Sequence, residues 1–468
     1  MSMFSIGLSG LSSTQKALEV TSNNIANAGT AGYKTTSTEF SALYSGGQRN
    51  GVNVSATSEN FEKAGNLVGT GQSLDLAITG KGFFIISENG RLAYTQAGQF
   101  KMDGSDRSIV TNNGDKLQGY GIDDQGNLVP GLLTDLKVEA GNIPAKASTN
   151  INFSLNLNSG SDEIDHKILY TVDATAVPMA APAAPVPTVA DSFDPKDGSS
   201  FNYSQSSEVF DSLGNSHTLT QYFNHAGGNQ WDVVYYMDGK PMLANELAWL
   251  GAPNAAKTAT SALNDAGVVV HNVGVVRMTF GTDGQLKPLT APATLPTGDN
   301  NVSDPAGLRE ITLAFNPTGA DAMSIKLDLV KTTQFGSAFG LYENDPDGYT
   351  SGEFSGVAVA ENGEVYATFS NGEVKLQGQI ALANFANPQG LETANNTTWY
   401  ASQKSGEALV GVPSEGSFGG ILAGSYMGSN VDISKQLVDL MSFQQSYQAN
   451  AKTISTADEM MQVLFNAV

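Results

Sequence analysis

Residues 431–468 read VDISKQLVDLMSFQQSYQANAKTISTADEMMQVLFNAV, and this closing stretch decides how the rest of the chain is organised. Its apolar residues recur every seven positions, and a recurrence of this period places one narrow apolar seam on an α-helix, as in helices that pack in coiled coils. The pattern leaves open a helix that docks on its own domain and a helix that needs partners. The seam residues recur every seven positions, with a weaker second row four positions after some of them: Ile433, Leu440, Tyr447, Ile454, Met461 and Val468, then Leu437, Ala451 and Phe465.

The start of the chain carries a matching pattern, which predicts a second helix over residues 3–28, closed by Gly29 as a left-handed C-cap. Because both ends carry the same kind of seam, we expect them to pair as a coiled coil, with everything else inserted between them. We assign the seam to pairing within one chain, and the Gln-, Asn- and Ser-rich face of the last helix to contacts with other copies. The N-terminal seam residues are Phe4, Leu8, Leu11, Leu18 and Ile25.

The composition is that of a folded, β-rich protein with several domains. A chain of 468 residues exceeds what one core usually organises, so two to four domains are expected. The 51 glycines and the low charged fraction of 15% favour short strands joined by tight turns. A formal net charge of −22 argues against nucleic acid and against anionic membrane surfaces as partners. The absence of cysteine excludes disulfides, thiol catalysis and thiolate metal sites.

No targeting or membrane segment is recognisable. Residues 1–10, MSMFSIGLSG, lack the basic start and long apolar core of a cleaved secretory leader. No run of 18 apolar residues exists, so no transmembrane helix is expected. The most apolar stretch, residues 176–190, contains four prolines between Pro178 and Pro187 and is predicted to be a loop or linker.

Between the helices the sequence predicts nested β domains. Residues 74–104 alternate apolar stretches with turn signals, and NINFSLNLN at 150–158 alternates strictly, as a half-buried strand does. Residues 238–265 are Ala-rich and are predicted to hold a short helix or an inserted lobe. Further hairpin turns are predicted at Asn89-Gly90, Asp103-Gly104 and residues 124–128, 282–286, 361–365 and 370–374.

Both termini resemble the flagellar axial proteins, the rod and hook family. SNNIANAGTAGYKTT at residues 22–36 resembles the N-terminal signature of that family, and residues 429–466 resemble its C-terminal signature. LDLAITGKGFF at 74–84, EVFDSLGNSHTLTQYF at 208–223 and residues 347–391 resemble β segments of the same family. The family commonly has arginine where this chain has Gln96 and Gln445, and we expect a hydrogen bond in place of each salt bridge.

The resemblance and the residue patterns together predict a mainly β, multidomain fold with paired terminal helices. The expected divisions are a helical coiled-coil domain (residues 1–35 and 429–468), extended connectors (36–73 and 392–428), a first β domain (74–155 and 334–391) and an outer β domain (156–333).

A search for catalytic and ligand-binding motifs finds none. The histidines, His166, His217, His225 and His271, lack the close spacing of metal ligands, and each is predicted to lie alone on the surface. Residues 344–348, NDPDG, lack the spacing and distal Glu of a calcium loop and predict a turn. Asp162 and Glu163 lie beside a predicted turn and are assigned to solvated surface. No catalytic residue, metal ligand or cofactor is therefore expected.

The resemblance implies a structural subunit that polymerises into a curved tube, a universal joint that transmits torque from rod to filament outside the cell. Its implied partners are further copies, the flagellar rod, hook cap and hook–filament junction proteins, and the flagellar type III export apparatus. The alternatives are another axial protein, from the distal rod or the junction, or a surface adhesin or enzyme built on β domains. An adhesin predicts one anchoring end and an enzyme predicts clustered titratable residues, and the sequence shows neither.

Overall fold

The computed structural model describes residues 3–45, 48–123, 125–164, 193–243, 246–248, 258–263, 269–287 and 310–466. The chain divides into two compact units, one formed by residues 1–141 with 354–468 and the other by residues 142–353. The expected fold class, mainly β with paired terminal helices, is confirmed. The helices are α1 (Met3–Ala26) and α2 (Ile433–Asn466).

The strands of the first unit fall into two groups along the chain. The first group is β1 (Thr36–Ser45), β2 (Gln48–Glu59), β3 (Leu67–Gly69), β4 (Leu76–Thr79), β5 (Phe83–Glu88), β6 (Arg91–Thr95), β7 (Phe100–Met102), β8 (Ile109–Thr111), β9 (Lys116–Ile122) and β10 (Leu128–Asp135). Strands β11 to β22, given below, belong to the second unit. The later group is β23 (Phe354–Val359), β24 (Glu364–Phe369), β25 (Val374–Ile380), β26 (Leu382–Asn384), β27 (Glu392–Thr393), β28 (Thr398–Tyr400), β29 (Leu409–Gly411), β30 (Gly420–Ala423) and β31 (Ser425–Met427).

Early and late strands of the first unit interleave in one sheet. Its main path runs β23-β24-β25-β9-β5-β6-β28-β27, so three early strands lie between two groups of late strands. Phe83, Tyr94, Phe385 and Trp399 form an aromatic cluster at its core, with edge-to-face ring contacts. This core closes only when both parts of the chain are present.

The two segments expected to be extended connectors are instead folded into the unit. Strands β1 and β2 form a long antiparallel hairpin, with Thr36 opposite Glu59. In the later segment, β27 pairs with β28, β28 with β6, β29 with β26, β30 with β4 and β31 with β3. The physical reason is burial: Trp399 and Ile421, both in the later segment, are 3% exposed. Glycine-rich composition in these stretches reflects tight turns rather than free linkers.

The second unit is a β-sandwich of two six-stranded sheets. One sheet runs β16-β19-β20-β11-β21 with β22 added to β11, and the other runs β12-β13-β14-β18-β17 with β15 added to β14. One apolar core joins inward residues of both sheets. The strands are β11 (Asn150–Asn158), β12 (Tyr203–Phe210), β13 (Ser216–Gly227), β14 (Gln230–Met237), β15 (Lys240–Pro241), β16 (Leu247–Ala248), β17 (Thr258–Leu263), β18 (Val269–Thr279), β19 (Glu310–Phe315), β20 (Met323–Asp328), β21 (Thr333–Phe335) and β22 (Gly340–Pro346).

The boundary between the β domains differs from the expected one. Strand β11, assigned to the first β domain, is a central strand of the second unit, and β21 and β22 pair with it. The side chains of Ile151, Phe153, Leu155 and Leu157 enter the second unit's core, which fixes the strand there. Within residues 238–265, the described parts are strands β15 to β17 rather than the predicted short helix. The proline-rich residues 178–187 lie outside the described residues.

Most of the predicted hairpin turns are confirmed. Asn89 and Gly90 both have positive φ, 51° and 85°, as a two-residue type I′ turn requires. The turns at residues 281–285, 360–364 and 369–373 share one form with three residues in the loop. In each of them a glycine N–H donates to the carbonyl of the residue three positions earlier. The NDPDG segment is not the predicted turn, because its first three residues pair with β11 as the end of β22. The Asp347 carboxylate that follows accepts hydrogen bonds from the backbone N–H groups of Thr149 and Asn150. None of the described helices is long and apolar enough to cross a membrane.

Candidate assembly surface

The two terminal helices pack together as an antiparallel pair. Asn24 on α1 donates to the amide oxygen of Gln436 on α2 at 3.0 Å, near one end of the contact. At the other end, Gly7 and Gly10 face α2 so closely that a Cβ on Gly10 would lie 2.8 Å from Oδ1 of Asn450. Glycine is therefore needed where the helices approach most closely.

The buried face of each helix follows a heptad that coincides only in part with the predicted seam. On α1 it consists mainly of small and polar side chains, and Leu11, Leu18 and Ile25 each lie one position after a member of that row. The row on α1 comprises Gly7, Gly10, Thr14, Ala17, Thr21 and Asn24, and its counterpart on α2 is Gln436, Leu440, Phe443, Asn450, Ile454 and Ala457. Small residues on α1 let the two backbones approach, so the pairing buries little apolar surface.

The predicted seam is thus only partly brought together. Ile454 meets Gly7 on the paired face, and Leu440 is half-buried along the same row. Leu11, Leu18 and Ile25 are half-buried at the flank of the contact. Of the other predicted residues, Ala451 is half-buried, whereas Phe4, Leu8, Ile433, Leu437 and Met461 are 46–52% exposed and Tyr447 is 36% exposed. Val468 and the side chain of Phe465 lie outside the described residues.

Helix length explains part of this exposure. At 1.5 Å per residue, α1 is about 36 Å long and α2 about 51 Å long. The pairing of Asn24 with Gln436 and of Gly7 with Ile454 shows that α1 lies along the N-terminal part of α2. Met461 lies beyond the start of α1, so the C-terminal end of the seam runs past its partner.

The division of faces differs in part from the expected one. Polar residues, Asn24, Gln436 and Asn450, lie inside the helix pair together with some apolar residues of α2, whereas other apolar residues of both helices point away from it. We call the exposed apolar row on α2 the C-helix strip; it comprises Ile433, Leu437, Val438 and Met441. On α1, Phe4, Ile6 and Leu8 are exposed in the same way. These rows supply apolar surface that the chain does not cover by itself.

A buried asparagine fixes the base of the helix pair. Asn24 is 1% exposed, and its amide donates to the Thr36 carbonyl at 2.7 Å as well as to Gln436. Its side-chain oxygen accepts from the Thr36 N–H at 3.0 Å and from the Tyr33 hydroxyl at 3.1 Å. Every hydrogen-bonding position of this amide is used, which ties α1, α2 and the start of β1 to one point.

A second buried asparagine makes the same kind of junction below α2. The oxygen of Asn430 accepts from the Thr35 N–H at 2.6 Å, and its amide donates to the carbonyls of Asn60 and Lys63. The hairpin β1–β2 is held against α1 by two further bonds, Ser13 Oγ to the Val52 carbonyl and the Val52 N–H to Ser9 Oγ, both 3.3 Å. Helices and hairpin therefore form one body.

The turn after α1 differs from its predicted cap. Gly29 does not have positive φ, and the left-handed residue is Gly32, at φ 71°. A Cβ at Gly32 would lie 2.5 Å from the backbone nitrogen of Ala97, so the turn packs directly on the β sheet. Beside it, Lys34 is 2% exposed, and Nζ contacts the Met427 sulfur at 3.8 Å.

Lys34 and Glu59 both line a polar cleft of about 540 Å³ at this junction. Burial lowers the pKa of Lys34 to about 8, against the attraction of Glu59, which raises it. Burial raises the pKa of Glu59. The hydrogen bond that its carboxylate accepts from the Trp399 indole N–H, at 2.7 Å, lowers this pKa but by less. The junction between the helical base and the sheet thus holds a costly buried cation.

Comparison with known protein families matches four successive segments of the chain. Residues 4–34 match the family described as flagella basal body rod protein, and residues 423–467 match the flagellar basal body rod FlgEFG protein C-terminal family. Residues 77–156 match the flagellar hook protein FlgE/F/G D1 domain, and residues 171–349 match the flagellar basal body protein FlaE D2 domain.

Similarity to curated proteins extends over nearly the whole chain. The flagellar hook protein FlgE of Escherichia coli K12 is 32% identical, with 99% of each chain covered. The hook protein FlgE of Salmonella typhimurium LT2 is 30% identical at the same coverage. The chain belongs to the flagellar hook protein family. A crystal structure of Helicobacter pylori FlgE2, 15% identical, covers 77% of this chain and 100% of that one, with a TM-score of 0.47.

The two glutamines expected to replace family arginines differ in their surroundings. Gln96 is buried and donates to the Gly82 carbonyl at 2.9 Å, the kind of hydrogen bond expected there. Gln445 is exposed on α2. Two histidine predictions are wrong, because His225 is buried and His217 lies between Asp238, at 2.6 Å, and Asp211, at 3.5 Å. His166 and the side chain of His271 lie outside the described residues.

Several residues of the hook-family helical base were missed from the sequence. Gly7, Gly10, Asn24 and Asn430 make its decisive contacts, although none is apolar. The signal that could have found the first three is their own heptad, alternating steps of three and four through small residues. Among the described residues, no group of three or more His, Asp or Glu side chains is arranged to hold a metal ion.

Proposed function

We propose that this chain is the structural subunit of the flagellar hook, and that its copies polymerise through their terminal helices. The observation that carries the proposal is the arrangement of the helix pair. The α1 side of its contact is made mainly by small and polar residues, and apolar rows remain exposed on both helices. Exposed apolar rows on helices about 36 and 51 Å long suit docking against other helices.

A second copy of the chain is the partner that these rows fit. The C-helix strip has the spacing of a helix-packing surface, and the exposed residues of α1 offer a complementary apolar row. Contact between unlike rows of successive copies is heterologous, and heterologous contacts that do not close produce helical assemblies. A tube is therefore a natural product of this surface.

The activity that follows from this design is mechanical rather than catalytic. Packed helices in fixed register resist torsion, whereas the β units outside them can shift through polar, hydrated contacts as a tube bends. We infer a curved universal joint outside the cell that transmits torque from rod to filament. The flagellar rod, hook cap, hook–filament junction proteins and type III export apparatus are the further partners that hook-family membership supports.

A charge placed in the C-helix strip tests the proposal. Leu437→Asp puts a carboxylate on an exposed position, so the monomer should keep its fold and its thermal unfolding midpoint. Docking would then bury an unpaired charge, and polymer yield in a sedimentation assay should fall at least roughly tenfold. The matched control is Gln448→Asp, an equal charge at an exposed polar position of the same helix. Normal tubes from Leu437→Asp, seen by electron microscopy, would remove the strip from the interface.

A further inference from the structure

The exposed surface of α2 carries sulfur atoms that the protein keeps covered elsewhere. Among the side chains that the structure describes, the exposed methionines all lie on α2: Met441 is 54% exposed, and Met460 and Met461 are each 52% exposed. Met102 is half-buried. The other described methionine side chains are 0–4% exposed: Met237, Met242, Met278, Met323 and Met427. Because the chain has no cysteine, exposed thioethers are the groups that a mild oxidant reaches first.

Met441 differs from the other two exposed methionines in its position. It belongs to the C-helix strip, one helical turn after Leu437, and it is the only methionine among the four residues of that strip. Met460 and Met461 lie about 30 Å further along the axis of α2, outside the strip. A single oxidisable side chain therefore lies in the apolar row to which we assign contact between copies.

A hydroperoxide converts such a thioether into a sulfoxide by transfer of one oxygen atom. With hydrogen peroxide, a sulfur lone pair forms the S–O bond, the O–O bond breaks, and the remaining oxygen leaves as water. The sulfur loses two electrons and the peroxide gains them. Susceptibility follows access to solvent, so Met441 should react while the buried methionines stay intact.

The sulfoxide has opposite effects in the free subunit and in a contact between helices. On the free subunit the new oxygen of Met441 faces water, so the fold should be unchanged. In a packed contact the same oxygen would lose its water. The other strip residues, Ile433, Leu437 and Val438, have no side-chain donor to replace that water, and burial of an unpaired polar group is costly.

We propose that Met441 is an oxidation site that controls assembly: a hydroperoxide converts it to the sulfoxide in the free subunit, and the sulfoxide prevents the C-helix strip from docking on a second copy. This inference rests on the proposed function, because it takes the strip to be a surface between copies. Docking covers the sulfur, so an assembled subunit resists the same oxidant. Methionine sulfoxide reductases, one for each sulfoxide epimer, restore the thioether and with it the ability to assemble.

Treatment of the full chain with hydrogen peroxide before assembly tests the site. Peptide mass spectrometry measures the sulfoxide at each methionine, circular dichroism measures the fold, and sedimentation measures polymer yield. Oxidation of Met441 in the wild type should lower the yield at least roughly tenfold, and the two reductases should restore it. Met441→Leu should keep its yield after peroxide. The matched control, Met460→Leu combined with Met461→Leu, should lose its yield as the wild type does.

A second measurement uses the wild-type chain alone. The rate of Met441 oxidation should be at least roughly tenfold lower in assembled tubes than in the free subunit. Equal rates would overturn the proposal, as would normal tubes from chains with Met441 fully oxidised, or an equal loss of yield in Met441→Leu.

Untreated Leu437→Asp separates failure of this inference from failure of the proposed function. If oxidised wild type assembles normally and untreated Leu437→Asp does not, the strip remains a contact between copies and only the role of Met441 is wrong. If untreated Leu437→Asp also forms normal tubes, the strip is not a contact between copies, and the proposed assembly surface fails together with the inference.

Discussion

At the residue scale, the helical base depends on polar side chains that are buried and fully bonded. Asn24 and Asn430 each join three parts of the chain, and neither contributes apolar surface. Such residues specify how elements meet, because any other arrangement leaves their amides unpaired. Lys34, buried beside them, is the exception, since its ammonium is costly where it lies.

Replacement of Asn24 by leucine should destabilise the helical base. Asn24→Leu leaves the Thr36 N–H and carbonyl, the Tyr33 hydroxyl and Gln436 without their partner. We expect the free energy of unfolding of the helices to fall by about 2–4 kcal/mol, measured by urea titration of the helical circular dichroism. Asn23→Leu, at the exposed neighbouring position, should change it by less than about 0.5 kcal/mol. Equal effects of the two substitutions would contradict this role for Asn24.

Lys34 should make the chain more stable in mild alkali. Burial lowers its pKa from 10.5 in the unfolded chain to about 8 in the folded chain, so the unfolded state binds more protons between these values. The free energy of unfolding should therefore rise with pH through that window, by about 3 kcal/mol. Lys34→Met removes the buried charge, so the variant should be more stable at pH 7 and lack the rise. The test is the difference in free energy of unfolding between the wild type and the variant across this pH window. Taking the difference removes the contribution of Tyr33, whose pKa burial raises and which is present in both proteins.

At the element scale, the sequence predicted the type of most elements better than their contacts. Two terminal helices, the strand at 150–158 and the turn at Asn89-Gly90 follow from periodicity and turn chemistry, which are local. On α1 the helix seam was misassigned because large apolar residues were taken to mark the paired face, whereas Leu440 and Ile454 of the α2 seam do lie on that face. Here the paired face of α1 is marked by Gly7 and Gly10, where closeness of backbones matters more than apolar area.

Enlarging Gly10 tests the small-residue contact. Gly10→Leu places a branched side chain where Asn450 now lies, so the helices must separate and the pair should lose stability. We expect a loss of about 1–3 kcal/mol, the usual cost of overpacking, measured by thermal unfolding of the helical signal. Gly29→Leu is the matched control, because a Cβ there meets nothing within 4 Å. If both variants unfolded at the wild-type temperature, the close approach at Gly10 would not support the pair.

At the scale of the whole molecule, the chain is nested, with its two ends meeting in one unit and residues 142–353 forming the other. The order of these parts could be predicted because it follows from matching end patterns and from family resemblance. Their boundaries could not, because the pairing of β11 with β20, β21 and β22 joins residues far apart in sequence. The folded state of the supposed connectors was missed for the same reason: short strands such as β30 and β31 gain their stability from distant partners.

The whole account depends on which helix faces meet within one copy and which meet between copies. An electron cryomicroscopy map of the tube assembled from the wild-type chain would measure this most directly. We predict Gly7 and Gly10 against Asn450 and Ile454 of the same copy, with Leu437 and Met441 buried against a neighbouring copy. A map in which the C-helix strip faces water, or in which α1 and α2 of one copy are separated, would contradict it.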